Sequence, residues 1–388
     1  MKILAFGTYD ARVHPRIQVL IDGLRAHEVE VVELDEPLGL TPAERVRMLR
    51  QPWRLPILAA RLATRWGRLV AGSRRFRGSA RPDAVMVGYL GHFDVLLARL
   101  LFPRTVIALD HLIFAANTAA DRGTAPGMRT RLLARLDELA IAAADVVVVD
   151  TEEHRAMVPA SRRDDAVVVP VGASRAWFDA ADARAERPAR PEPAGLSVIF
   201  FGLFTPLQGS PTIGRALRLL HERSVTVSAT LVGSGQDAAA VHREVDGLPG
   251  VRWHEWVDGS QLPRLVAEHD ASLGIFGTTD KAMRVVPNKV YQGAAAGTAV
   301  ITSATDPQRR CLGDHALLVP PGDAEALAAA ITALATDPAE LARLRGAAAR
   351  LARGAFTARA VAGPLVGALS TRKSGGRSDR RPASAQVG

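Results

Sequence analysis

At 388 residues the chain exceeds what one ordinary hydrophobic core organises, and with 48% hydrophobic residues it is globular rather than disordered, so two domains are expected. A single cysteine, Cys311, excludes an intramolecular disulfide and argues against a cysteine-rich metal centre. The formal net charge of +9 asks for an anionic partner: a phosphorylated substrate, a membrane surface or nucleic acid.

The opening KILAFG reads as a buried strand ending at Gly7, and the turn TYDARVHPR leads into a helix over about 17–27. MKILAFGTYD lacks the features of a secretion signal, and no apolar run approaches the roughly 18 residues of a membrane span, so a cytoplasmic protein is expected. EVEVVEL follows as a second strand, and strand, glycine turn, helix, strand begins a doubly wound α/β domain. Arg12, His14 and Arg16 crowd the place where a ligand would lie, the alternative being solvated turn residues.

Eleven arginines and no acidic residue fall between Arg45 and Arg81. Within this block Leu55, Leu58, Leu62, Trp66 and Leu69 share one helical face, with Arg54, Arg61, Arg65 and Arg68 on a neighbouring one. Such a helix suits an anionic bilayer, the charge drawing it in and the apolar face inserting; the same pattern also fits a helix that packs on the core. Nucleic-acid binding is not expected, because no aromatic-interleaved platform accompanies the charge.

Short strands at 83–88 and 105–109 carry His92 with Asp94, and Asp110 with His111, just past their ends, where this architecture places its ligand crevice. A leucine- and alanine-rich helix over 129–144 leads to strands at 145–149 and 166–169. The first domain spans 1–178, with a linker at 179–195 whose proline, alanine and charge show no periodicity. A second α/β domain, 196–353, starts with the strand ending at Gly202 and its loop LFTPLQGSP. A strand over 225–232 ends in Gly233-Ser234-Gly235. A helix over about 354–370 would pack back on the first domain, and the polar, basic 371–388 reads as a disordered tail.

The stretch SLGIFGTTDKAMRVVPNKVYQGAAAGTAVIT, residues 272–302, reads as strand, loop, helix, strand, the helix starting near Asn288–Lys289 and stopping at Gly297. A helix N-terminus just past a parallel strand is a place for a phosphate. The chain has four lysines against 45 arginines, and Lys281 and Lys289 both fall here, with Arg284 between them.

Four segments together resemble the GT-B glycosyltransferases, specifically the retaining family 4: FGTYDARVHPR, FGLFTPLQG, LVGSGQ, and PNKVYQGAAAGTAVIT followed by LLVPPGD. The resemblance, over about 2–365, implies two Rossmann-like doubly wound parallel-sheet domains facing a cleft. It implies transfer of a sugar from a nucleoside-diphosphate sugar to a hydroxyl acceptor, with retention and no metal or other cofactor. The donor site would comprise Gly202, Thr205, Gln208, Gly209, Gly233, Trp256, Val257, Lys281, Arg284, Asn288, Lys289 and Gln292. Gln292 and Arg284 stand where the family carries glutamates for the ribose and the sugar, and Gln208 where it carries a lysine. Asp110 aligns with a frequent family histidine and, with His111, is the expected catalytic pair; Gly7, Arg12, Arg16 and His92 would face the acceptor. The acceptor class stays open between a lipid-linked saccharide and a soluble small molecule; the arginine block favours a lipid-linked or membrane-proximal one, with the protein peripheral on the inner face of the membrane. A sugar-nucleotide epimerase on the same frame and a non-catalytic binding protein are the rival readings.

Overall fold

The computed structural model describes residues 1–11, 14–39, 55–121, 127–186 and 195–374. The first domain runs β1 (Lys2–Gly7), α1 (Pro15–Ala26), β2 (Glu30–Asp35), α2 (Leu55–Ser73), β3 (Ala84–Val87), α3 (Asp94–Leu101), β4 (Val106–Asp110), α4 (Ala115–Asp121), α5 (Met128–Ala143), β5 (Val146–Val149), α6 (Glu152–Met157), β6 (Ala166–Val168) and α7 (Arg175–Ala185). The second runs β7 (Leu196–Phe201), α8 (Ser210–Glu222), β8 (Val227–Val232), α9 (Ala238–Val245), β9 (Val251–His254), α10 (Leu262–Ala267), β10 (Ala271–Leu273), α11 (Asn288–Ala295), β11 (Ala299–Ser303), α12 (Asp306–Leu312), β12 (Leu317–Val319), α13 (Ala324–Thr336) and α14 (Pro338–Leu351). A last helix, α15 (Ala358–Ser374), returns to the first domain.

The two domains are the doubly wound pair expected: two six-stranded sheets, ordered β2-β1-β3-β4-β5-β6 and β12-β11-β10-β7-β8-β9, with every pairing parallel. Strands such as AVMV at β3 and VVVV at β5 are buried along their whole length, as strands covered by helices on both faces must be. Strand order reverses between β1 and β3 in the first sheet and between β7 and β10 in the second. Those two switch points, beyond the carboxyl ends of the strands, are where a doubly wound fold places its ligand crevice.

Two local expectations are corrected, and one open alternative is decided in part. The stretch from Ala180 to Ala185, expected to lack structure, continues α7, which docks Trp177 and Phe178 in the core beneath β7. The tail expected from 371 is helical to Ser374, because Arg372 pairs with Asp165 and Lys373 with Asp83 across the domain. The apolar face of α2 is turned inward at its C-terminal half: Trp66, Leu69 and Val70 pack with Leu4, Phe6 and Val87. That half of the face is therefore not free to enter a bilayer, while Arg61, Arg68, Arg74, Arg75 and Arg77 remain exposed. Residues 45–54 of the arginine block lie outside the described residues. No helix of the described residues is long and apolar enough to cross a membrane.

Candidate active site

The switch point of the second sheet gathers the glycine-rich donor loop. β7 ends in Gly202, a turn of 3-10 helix covers Pro206–Gln208, and Gly209 takes the left-handed conformation (φ 60°) to open α8. Only glycine fits there, since a Cβ would lie 2.3 Å from the backbone of Phe276 and Gly277. Phe276 N donates to Gln208 O at 2.9 Å, which straps the loop onto the end of β10.

Lys289, in the first turn of α11, reaches under this loop. Its Nζ donates to Gln208 Oε1 at 2.5 Å, lies 3.7 Å from the centroid of the Phe200 ring, and would meet a Cβ at Gly202 at 3.2 Å. The side chain is buried, and burial holds its amine well below the ordinary lysine range. Asn288 begins α11 as expected, and Gln292 is buried one turn on. Gly202, Gln208, Gly209, Asn288 and Lys289 are thus brought to one corner, a lysine and a helix N-terminus facing glycine backbone.

Of the other expected donor residues, Gly233 and Thr205 border the same loop, and Trp256, Val257, Lys281 and Arg284 lie elsewhere. Gly233 is needed for loop packing, a Cβ there falling 1.9 Å from Gly202 O. Trp256 is 82% exposed beyond β9, with Val257 half-buried beside it, while the neighbouring Trp253 is the packed ring, stacked on Phe204 and donating Nε1 to Gly233 O. Thr205 caps the 3-10 turn through its carbonyl, which accepts from Gln208 N. Lys281 and Arg284 belong to the seam between the domains: Lys281 Nζ donates to Thr118 Oγ1 at 3.0 Å, and Arg284 O accepts from Thr151 Oγ1 at 2.7 Å. Thr279 Oγ1 donates to Asp121 Oδ1 at 2.6 Å beside them. A cleft of about 780 Å³ opens here, lined by Asn117, Asp121, Glu153, Thr279, Lys281 and Arg284, and Lys289 and Gln208 are not among its walls.

On the first-domain side, Gly7 ends β1 and Thr8 gives both its N–H and its hydroxyl to Asp94 Oδ2, at 2.7 and 2.8 Å. Asp94 Oδ1 accepts from Trp66 Nε1 at 2.9 Å, so one carboxylate fixes both the Gly7 turn and α2. Arg16, expected to face an acceptor, is instead 2% exposed. Its Nε donates to Asp110 at 2.8 Å and its Nη1 to the carbonyls of Val169 and Pro170. Asp110, expected as a catalytic group, is the buried counter-ion of that arginine; burial pushes its carboxyl up against the pull of Arg16. Both side chains are buried in this pair and so withdrawn from the crevice, their attraction offsetting the cost of leaving water. Arg12 lies outside the described residues.

His92 is buried too, its Nε2 2.9 Å from Asp137 Oδ1. His111 is 2% exposed and packs edge-on against His92 and Phe114; burial and the two neighbouring histidines, opposed by Asp137, push its imidazole down to about 3. Asp94 was expected at the crevice beside His92, whereas Asp137 was not, because it reads as an ordinary helix carboxylate. Its burial is what distinguishes it, and that is a tertiary property.

Residues 195–337 match the model of the family described as glycosyl transferases group 1, which covers nearly all of the second domain. Among solved structures, sucrose-phosphate synthase from Thermosynechococcus elongatus aligns over 97% of this chain and 99% of its own with a TM-score of 0.68 at 15% identity. Anabaena HepE in complex with UDP-glucose aligns over 95% and 99% (TM-score 0.62, 15% identity), and a UDP-forming α,α-trehalose-phosphate synthase from Burkholderia vietnamiensis over 98% and 99% (0.64, 14%). A search of curated proteins finds no significant match. At such identities the structures establish the GT-B fold, and the family model assigns the second domain to the glycosyltransferases. The chain therefore has the GT-B fold, and its second domain matches the glycosyl transferases group 1 model.

Proposed function

We propose that the protein is a glycosyltransferase that takes a sugar from a nucleoside-diphosphate donor and passes it to a hydroxyl acceptor with retention of configuration. The observation that carries the reading is the buried, carboxylate-free Lys289 held under the Gly202–Gly209 loop at the switch point of the second sheet. A diphosphate laid on that loop would meet the amine and the free N–H groups of the first turn of α11. Among structures of this fold, Anabaena HepE was solved with UDP-glucose, which makes that nucleotide sugar the first donor to try.

In the proposed reaction the bond from the anomeric carbon to the diphosphate oxygen breaks as a bond to the acceptor oxygen forms on the same face. The acceptor's proton passes to the departing diphosphate. Lys289 and the helix end stabilise the charge that develops there, a role that needs no metal at the diphosphate. Asp110 fits poorly as a base because both its oxygens accept from Arg16. An epimerase would need free carboxylates beside the donor. Near the first-domain crevice, Asp94, Asp110, Asp137 and Asp150 are all buried and hydrogen-bonded.

Incubation with a panel of sugar nucleotides and a membrane extract tests the reading: release of nucleoside diphosphate with label transferred to an acceptor supports it. Binding of nucleotide with no release from any donor would establish the non-catalytic reading instead. For the acceptor we retain a membrane-proximal site, now through charge alone, since the exposed arginines of α2 and the turn after it form a cationic surface. Sedimentation with anionic liposomes at low salt checks this, and indifference to the lipid would remove it.

A further inference from the structure

Three side chains from three separate elements meet inside the first domain: His92 before α3, His111 directly after β4, and Asp137 within α5. All three are buried, at 7, 2 and 6% exposure. His92 Nε2 stands 2.9 Å and His111 Nε2 3.8 Å from Asp137 Oδ1, and the ligand atoms of the three lie within 4.8 Å of one another. Those two distances bracket the roughly 3.3 Å that separates neighbouring ligand atoms around a tetrahedral ion with bonds of about 2.0–2.1 Å.

His111 Nε2 is the informative atom. It is buried and makes no hydrogen bond, although its ring is clamped between His92 and Phe114 and aimed at the Asp137 carboxylate. A buried nitrogen without a partner is unusual enough to require an explanation, and a bound ion supplies one. Asp137 is already oriented as a ligand would be, its carboxylate accepting from Ala115 N and Ala116 N at 3.0 and 3.3 Å in the first turn of α4.

We propose that His92, His111 and Asp137 form a binding site for a divalent transition metal, zinc fitting best, with two imidazole nitrogens and one carboxylate leaving a fourth position for water or another ligand. His92 binds in the tautomer with its proton on Nδ1, exchanging its hydrogen bond to Asp137 for shared ligation of the ion. The site belongs to the first domain and shares no residue with the donor corner, so it does not depend on the proposed transfer. It would tie the β4–α4 segment to α3 and α5. That segment continues into Thr118 and Asp121, which meet the second domain, so the ion would stiffen one side of the interdomain seam.

The test uses the untagged full-length protein, stripped with a chelator and titrated with Co²⁺ and then Zn²⁺. One equivalent of Co²⁺ per chain with visible ligand-field bands, displaced by Zn²⁺, is expected. So is a Zn²⁺-dependent rise in Tm. His111→Gln and Asp137→Asn, tested separately, should each weaken binding by at least about 10–100-fold and abolish the Zn²⁺-dependent rise. His221→Gln, on an exposed helix end, should bind as the parent does. If either site variant fails to fold, exchangeable imidazole protons in the paramagnetically shifted spectrum of the Co²⁺ parent count its histidine ligands, and two are expected. Substoichiometric uptake, a count other than two, or unchanged affinity in a folded His111→Gln would overturn the assignment.

Discussion

Lys289 carries an electrostatic conflict that its function would resolve. Burial disfavours its charged form, and no carboxylate is within reach among the described residues, so the amine loses its proton more easily than a solvated lysine. A bound diphosphate would restore the charge, so donor binding is linked to proton uptake. Affinity should therefore fall as pH rises through the depressed value, and that slope should vanish in Lys289→Met. Stability runs the other way: the unfolded chain binds the proton more tightly, so stability rises with pH between the folded value and the ordinary 10.5. Lys289→Met is expected to raise Tm near neutral pH, while lowering kcat/KM for any donor by about 10²–10³-fold. Thermal denaturation and steady-state kinetics on one preparation check both halves. Asp110→Asn should do the opposite of Lys289→Met, destabilising by about 3–5 kcal/mol because the Arg16 guanidinium is left buried without its counter-ion. Denaturant unfolding measures it. The Lys289 corner was legible in the sequence because glycines at strand ends and a helix start are local signals. The Arg16–Asp110 pair was not, since it joins residues 94 apart and only the fold brings them together.

At the scale of elements, the loop from Gly202 to Gly209 is strapped to the end of β10 through its backbone, Phe276 N donating to Gln208 O. Gly209→Ala would force a Cβ against Phe276 and Gly277, so the loop must lift from β10. We expect a loss of nucleoside-diphosphate affinity of more than tenfold, visible by calorimetry, with the far-UV spectrum unchanged. Helix α2 shows where sequence periodicity stops being informative, because an apolar stripe beside an arginine stripe fits a bilayer and a protein core equally well. Trp66 decides between them through a hydrogen bond to Asp94, which no local pattern announces. In the same way α7 escaped notice because its alanines and charges merge into the proline-rich stretch beyond. Only Trp177 and Phe178 mark the face by which it docks.

Across the whole molecule, polar contacts bridge the domains, Thr279 with Asp121, Lys281 with Thr118, Thr151 with the Arg284 carbonyl, and Arg310 with Glu153, beside the apolar packing of Leu112, Val171 and α7 on the core of the second domain. Where the contacts are polar, relative motion is permitted. Asp121→Ala with Thr279→Val should favour a more open arrangement, seen as a larger radius of gyration in solution scattering and a weaker compaction on adding nucleoside diphosphate. An unchanged profile would show that the seam is held elsewhere.

The return of α15 to the first domain sets the order in which the protein can be made. Gly23 of α1 has no room even for a Cβ, the space being taken by the Ala358 carbonyl and Ala362, and Val361, Leu365 and Leu369 complete the core around Ile17, Leu20 and Leu24. On the ribosome, this apolar flank of the first domain stays uncovered while about 330 further residues are added, on the order of tens of seconds at ordinary rates. A nascent chain halted anywhere before residue 358 would expose that flank to chaperones or to its neighbours on the polysome.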